Sequence, residues 1–304
     1  MGIESNSAKG AMNALDTFNH HRRLLFSIAY RMLGTVTDAE DMVQETFLRW
    51  QHTPQTKVQS AKNYLATTIT RLCIDHLRSA RVRREQYVGP WLPEPLLTQQ
   101  DPAEQVELAD SLSMAFLVML ERLSPIERAV FLLREVFEYD YPEIAQIVDK
   151  SPENCRQILK RSRQHLAAER PRFPVSTQQQ EQITAQFLEA STQGNLEELL
   201  TLLAPNVTLW SDGGGQVPAA LKPLHRSMKV ARFLLAIQRK FPPTTRTALA
   251  EINRQPGIIV SNESNIHTVM TFNIVNGYIQ AIYSIRNPEK LKQLSKSVLD
   301  SHDG

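Results

Sequence analysis

Two helix-start signals constrain this chain most. Ser124-Pro125-Ile126-Glu127 sets a serine at the N-cap, proline at the first helical position and a glutamate that reaches back to the cap. Ser151-Pro152-Glu153 repeats the signal. Between them Tyr141-Pro142-Glu143-Ile144-Ala145-Gln146-Ile147-Val148 reads as a short helix, and Asp149-Lys150 as a turn. That spacing is helix-turn-helix. In the second helix Cys155, Ile158, Leu159 and Leu166 fall inward, which leaves Arg156, Lys160, Arg161 and Arg163 outward.

Upstream, Leu24, Leu25, Ile28, Ala29, Met32 and Leu33 recur at helical spacing and Gly34 ends that helix. Thr37 to Glu40 fits a capping box that would start the next. The segment DAEDMVQETFLRW, Asp38 to Trp50, then mixes four carboxylates with Val43, Phe47 and Leu48. The helix dipole accounts for acids in a first turn, but not for Asp41 and Glu45 beside exposed apolar groups. After a polar loop, His52 to Ser60, the sign reverses: a long helix carries Arg71, Arg78, Arg81, Arg83 and Arg84. Residues 86–104 hold four prolines and one glycine, the composition of a linker. Yet Trp91, Leu92, Leu96 and Leu97 within it predict that it packs on something.

Beyond a second linker the pattern changes. A helix over about 181–192 leads into a helix-to-strand segment, then Asp212-Gly213-Gly214-Gly215, a helix over about 224–240 and four strands. Asn276-Gly277 between the last two strands is a type I′ hairpin signal. The expectation is an α+β domain with a curved antiparallel sheet. Asp212, His225, Glu251 and His267 are its candidate acid–base groups, but no spacing among them is diagnostic, and no metal-binding or phosphate-loop motif appears. Net charge is +2 from 34 basic and 32 acidic residues, so local charge carries the information. The two cysteines, Cys73 and Cys155, read as reduced core thiols. Without a signal peptide pattern or a membrane-length apolar run, a cytoplasmic protein with no membrane partner is expected.

The order of these features resembles the group IV, extracytoplasmic-function sigma factors of the sigma-70 family, through DAEDMVQETFLRW, TTITRLCIDHLRSARVRRE and LSPIERAVFLLREVFEYDYPEIAQIV with its recognition helix. The resemblance implies two all-α domains: sigma region 2 over 11–85 and sigma region 4 over 105–170, with linkers at 86–104 and 171–180. It assigns core RNA polymerase binding to Asp38, Asp41, Gln44, Glu45 and Phe47. It assigns contacts with the promoter −10 element to Lys57, Lys62, Asn63, Arg71, Arg78 and Arg81. Contacts with the −35 element fall to Asn154, Arg156, Gln157, Lys160 and Arg161. One small unit would then be acidic toward polymerase and basic toward promoter DNA because it bridges them.

Residues 181–304 resemble a SnoaL-like domain, a cone-shaped α+β fold of the nuclear-transport-factor-2 superfamily. Three strings are similar to those of the sigma-factor subgroup with this fused extension: Trp91-Leu92-Pro93 in WLPEPL, Asp212 to Gly215, and Asn287-Pro288 with Lys290 in NPEKL. The subgroup's lysine after DGGG is Gln216 here, and its aspartate in the tail motif is Glu289. The resemblance implies a regulatory extension that stands in for an anti-sigma factor, without catalysis, cofactor or metal, and it leaves open an unidentified small ligand. It also predicts that WLPEPL and DGGG meet in the folded chain. The alternative is a helix-turn-helix regulator whose SnoaL-like domain binds or transforms a small molecule.

Overall fold

The structure is a computed structural model describing residues 3–54, 58–98, 111–166, 176–262, 265–292 and 294. The chain forms two compact units: residues 1–83 with 120–168, and residues 84–119 with 169–304. Lys57, the ends of both linkers and the segment 105–110 lie outside the described residues, as does the side chain of Arg81.

The first unit is helical. α1 (Ile3–Leu33) and α2 (Val36–Gln51) pack through Phe18, Leu25, Ile28 and Ala29 against Ala39, Val43 and Trp50. Gly34, at φ 74°, turns the chain between them, and its N–H reaches the Tyr30 carbonyl. α2 begins two residues earlier than the expected Thr37 box. Thr35 is the N-cap, and its hydroxyl donates to Asp38 at 2.5 Å. α3 (Ala61–Glu85) buries Leu65, Ile69 and Cys73. α5 (Pro125–Glu135) has the expected capping box, with Ser124 and Glu127 bonded reciprocally. α6 (Tyr141–Val148) ends at Asp149 in the left-handed region, and α7 (Pro152–Leu166) buries Cys155, Leu159, Ser162 and Leu166. α4 (Met114–Leu120) precedes these helices, and the division between units falls near its end.

The second unit is built on a six-stranded curved sheet in the order β2-β1-β6-β5-β4-β3. Its strands are β1 (Leu203–Asp212), β2 (Leu224–His225), β3 (Thr245–Ile252), β4 (Gln255–Asn262), β5 (Asn265–Val275) and β6 (Tyr278–Ile285). The sheet is mixed, because β1 runs parallel to β6 while the other pairs are antiparallel. The purely antiparallel expectation is therefore corrected. β1 reaches β6 across the whole domain, so no local turn sets their direction. Leu224 and His225, expected in a helix, pair with β1 instead, and α10 starts at Ser227 and runs to Gln238. Asn276 and Gly277 both have positive φ, as the hairpin signal requires.

One apolar cluster joins the sheet to α8 (Thr177–Gln193), α9 (Leu196–Leu202) and α10, with Phe187 and Phe272 edge to face at 4.9 Å. α8 takes in the last residues of the expected linker, because Ser176 caps it through the Gln179 N–H. A second cluster gathers Leu92 and Met114 with Ile252, Val269, Tyr283, Ile285 and Leu291. The proline-rich segment is thus part of this unit's core. It bonds to the β3–β4 hairpin along its length: Asn253 N–H donates to the Leu96 carbonyl at 2.8 Å, and Leu96 N–H returns to Asn253 Oδ1 at 3.1 Å.

Candidate functional site

The acidic helix α2 sorts its groups by face. Asp41, Gln44 and Leu48 are exposed at helical spacing, and Leu48 keeps 51% of its surface open. Glu45 pairs with Arg49 on the same helix at 2.9 Å. Phe47 leans on Phe18, with ring centroids 4.8 Å apart. Asp38 is set apart from this face, since it accepts from Thr35 and lies 3.5 Å from His76 of α3. A charged and apolar stripe of this kind suits a basic, partly apolar partner helix.

The −10 candidates turn inward within the first unit. Arg71 donates through Nε to the Ile147 carbonyl at 2.9 Å and through Nη2 to the Gln146 carbonyl at 2.7 Å. Asn63 donates to Glu143 at 3.0 Å. The Lys62 ammonium stands 5.4 Å from the centroid of the Tyr139 ring, whose phenol is pushed up to about 12 by burial and by Glu143. Arg78 is exposed and pairs with Asp75 at 3.2 Å. No sequence signal distinguished these settings, because a polar helix face reads alike toward DNA and toward another helix.

Asn154, Arg156, Gln157, Lys160 and Arg161 are all exposed on α7. Tyr141, Arg156, Leu159, Lys160, Arg163 and Gln164 line an open groove of 350 Å³ beside that helix. The guanidinium groups of Arg156 and Arg134 lie 4.9 and 5.1 Å from the Tyr141 ring centroid. Arg163, by contrast, is tied to Glu135 at 2.6 Å, which holds its guanidinium above its usual value.

In the second unit the three expected strings converge on Asp212. Its carboxylate is fully buried at the end of β1. One oxygen accepts from the Tyr87 hydroxyl at 2.5 Å and from Gly214 N–H at 3.0 Å. The other accepts from Leu92 N–H at 2.9 Å and from the Lys290 ammonium at 2.7 Å. Lys290 also donates to the Leu92 carbonyl and sits 4.2 Å from the Trp91 ring centroid. Pro93 is buried beside them. Asn287 bonds the Tyr87 hydroxyl at 2.9 Å and caps the tail turn by accepting from Glu289 N–H. Burial and the Asp212 carboxylate push the Tyr87 phenol up, so it remains a donor.

The glycines serve this packing. A side chain at Gly214, where φ is +60°, would overlap the Asn287 carboxamide; one at Gly213 would come within 2.5 Å of the Val217 carbonyl. Gly215 packs against Val88. Gln216 is exposed and Lys290 supplies the cation, so the missing lysine takes nothing from the pair. Sequence reasoning did not single out Tyr87, although an aromatic residue in a polar, proline-rich segment was the available signal.

The acid–base candidates are not gathered. Asp212 is saturated, His225 contacts Thr208 at 3.1 Å, and Glu251 lies 3.5 Å from Arg254. His267 is exposed on β5. Cys73 and Cys155 are free and buried, and burial pushes both thiols up. Among the described residues no group of three His, Cys, Asp or Glu side chains is placed to hold a metal ion, and no helix is long and apolar enough to cross a membrane.

A helical unit with an outward recognition helix, joined to a domain that holds the intervening segment, is the build of a sigma factor. Residues 17–83 match sigma-70 region 2 and residues 113–166 match sigma-70 region 4. The chain is 33% identical over 286 residues to the ECF RNA polymerase sigma factor SigJ of Mycobacterium tuberculosis, covering 90% of this chain and 91% of that one. It is 38% identical over 190 residues to the probable ECF RNA polymerase sigma factor SigI of the same species, covering 62% of this chain and 66% of that one. The crystal structure of M. tuberculosis SigJ aligns with a TM-score of 0.75 at 30% identity, over 91% of this chain and 98% of that one. The protein belongs to the extracytoplasmic-function RNA polymerase sigma factors, in the subgroup with a fused SnoaL-like domain, and directs transcription.

Proposed function

We propose that α2 docks on core RNA polymerase through Asp41, Gln44, Glu45 and Leu48, that α3 faces the −10 element, and that α7 reads the −35 element with Asn154, Arg156, Gln157, Lys160 and Arg161. Arginine offers a bidentate pair to guanine, and asparagine or glutamine to adenine. The second unit modulates initiation by its hold on residues 87–98, the segment that leads from α3 toward the recognition helices. The observation that carries this reading is the buried Asp212–Lys290 pair closed over the Leu92 backbone. Such a pair, with its hydrogen bonds met, fixes one arrangement of a segment whose composition alone would leave it free. The extension acts without catalysis: both Asp212 oxygens are already occupied, and His225 has no acid partner beside it.

In vitro transcription with core polymerase on the protein's own promoter tests this. The Asp41→Lys, Leu48→Asp chain should lose core binding and transcripts together. Lys290→Met should keep core binding and change transcript yield several-fold. Retained transcription in the first variant would overturn the docking assignment and favour a polymerase-independent regulator. An unchanged yield in the second, with the clasp shown to be loosened, would remove the modulatory role.

A further inference from the structure

The two halves of the first unit exchange arginines. α1 ends at Leu33, and Arg128 of α5 donates to the Met32 carbonyl of its last turn at 2.7 Å while pairing with Glu121 at 2.8 Å. α6 ends at Val148, and Arg71 of α3 bonds two carbonyls of its last turn, those of Gln146 and Ile147. Last-turn carbonyls have no partner within their own helix and carry the negative end of its dipole. α6 has no basic residue of its own in that turn, so Arg71 supplies the missing charge. Asn63 on Glu143 and Lys62 over Tyr139 extend the same contact along α3. Arg31, pulled down to about 10 by burial, lies 5.7 Å from the Phe137 ring and continues it on α1.

We propose that these contacts form a latch that closes the free chain, so that the promoter-facing side of α3 and the first helix of the helix-turn-helix occupy one another until the chain opens. The proposal rests on the assignment of α3 to the −10 element. Its polar groups find water when the halves part, so opening leaves none of them unsatisfied. DNA also competes well for Arg71. A phosphate offers the guanidinium a charged bidentate acceptor, whereas α6 offers two neutral carbonyls. The same side chain therefore holds the closed form and rewards the open one.

The test is a distance measurement on the full chain without polymerase or DNA. Spin labels at Ser79→Cys on α3 and Gln164→Cys on α7, both exposed positions, report the separation of the two halves by pulsed electron resonance. The parent should give one narrow distribution. Arg71→Ala should add a longer population, raising the open fraction on the order of fivefold, as loss of one or two modest hydrogen bonds implies. Arg71→Lys should resemble Arg71→Ala, because lysine keeps the charge but cannot span two carbonyls with one planar fork. Glu143→Gln should add a smaller long component. A parent distribution already broad, or an Arg71→Ala, Glu143→Gln chain as narrow as the parent, would overturn the latch. Promoter binding is read separately. Its loss in Arg71→Ala with unchanged distances would likewise overturn the latch and leave Arg71 a DNA contact alone.

Discussion

The two units use the same pairing, a cation on backbone carbonyls, at opposite depths. Lys290 holds the Leu92 carbonyl inside the second unit, with Asp212 at zero exposure beside it. Arg71 holds the Gln146 and Ile147 carbonyls from an exposed position on α3, with no carboxylate bonded to it among the described contacts. Depth decides what each can do. A buried charge deprived of its partner has no water to turn to, so the clasp in the second unit behaves as architecture. An exposed guanidinium exchanges protein carbonyls for water or phosphate at little cost, so the contact in the first unit can act as a switch.

The largest effect should break the deep side of this comparison. Asp212→Asn or Lys290→Met alone leaves one charge buried and unpaired, and should cost the second unit about 3–5 kcal/mol in denaturant unfolding. The double substitution should recover much of that loss; a double variant as unstable as the sum of the singles would show that the two groups do not act as a pair. Gly214→Ala forces a side chain into a left-handed position and onto Asn287, and should cost roughly 1–3 kcal/mol in the same assay. A smaller loss would mean that Asn287 yields and that the tail motif is less fixed than Lys290.

The smallest effect sharpens the exposed side. Tyr141→Leu removes the ring beside Arg156 and Arg134 and should weaken −35 binding by about 0.5–1 kcal/mol, while Tyr141→Phe should not. Fluorescence anisotropy with −35 duplexes at fixed salt measures this. Equal losses in both variants would mean that the hydroxyl matters and the ring does not.

How much of this was legible depended on whether the cause was local. The Ser124 box, the turn at Asp149 and the Asn276-Gly277 hairpin were readable because a few adjacent residues set their backbone. The apolar content of Trp91–Leu97 rightly implied a docking surface, but the β3–β4 hairpin that receives it could not be read, because Asn253 and Arg254 turn the chain at positive φ without a glycine. The parallel β1–β6 pairing is long-range and leaves no mark on either strand alone. Arg128, a nearly buried arginine amid the apolar residues of α5, was a visible anomaly whose partner, the end of α1, is distant in sequence. The placement of Lys62, Asn63 and Arg71 was not legible, because exposed polar side chains fit a helix end and a DNA backbone equally well.

Hydrogen exchange on the full chain tests the contrast most directly, by following segments 87–98 and 139–148 in the parent, Arg71→Ala and Asp212→Asn. Exchange through separate openings reports the free energy of each. The account predicts that Arg71→Ala speeds exchange of 139–148 on the order of fivefold and leaves 87–98 unchanged, and that Asp212→Asn does the reverse with a larger factor. Equal responses of both segments to both substitutions would contradict it, because the latch and the clasp would then be one cooperative structure.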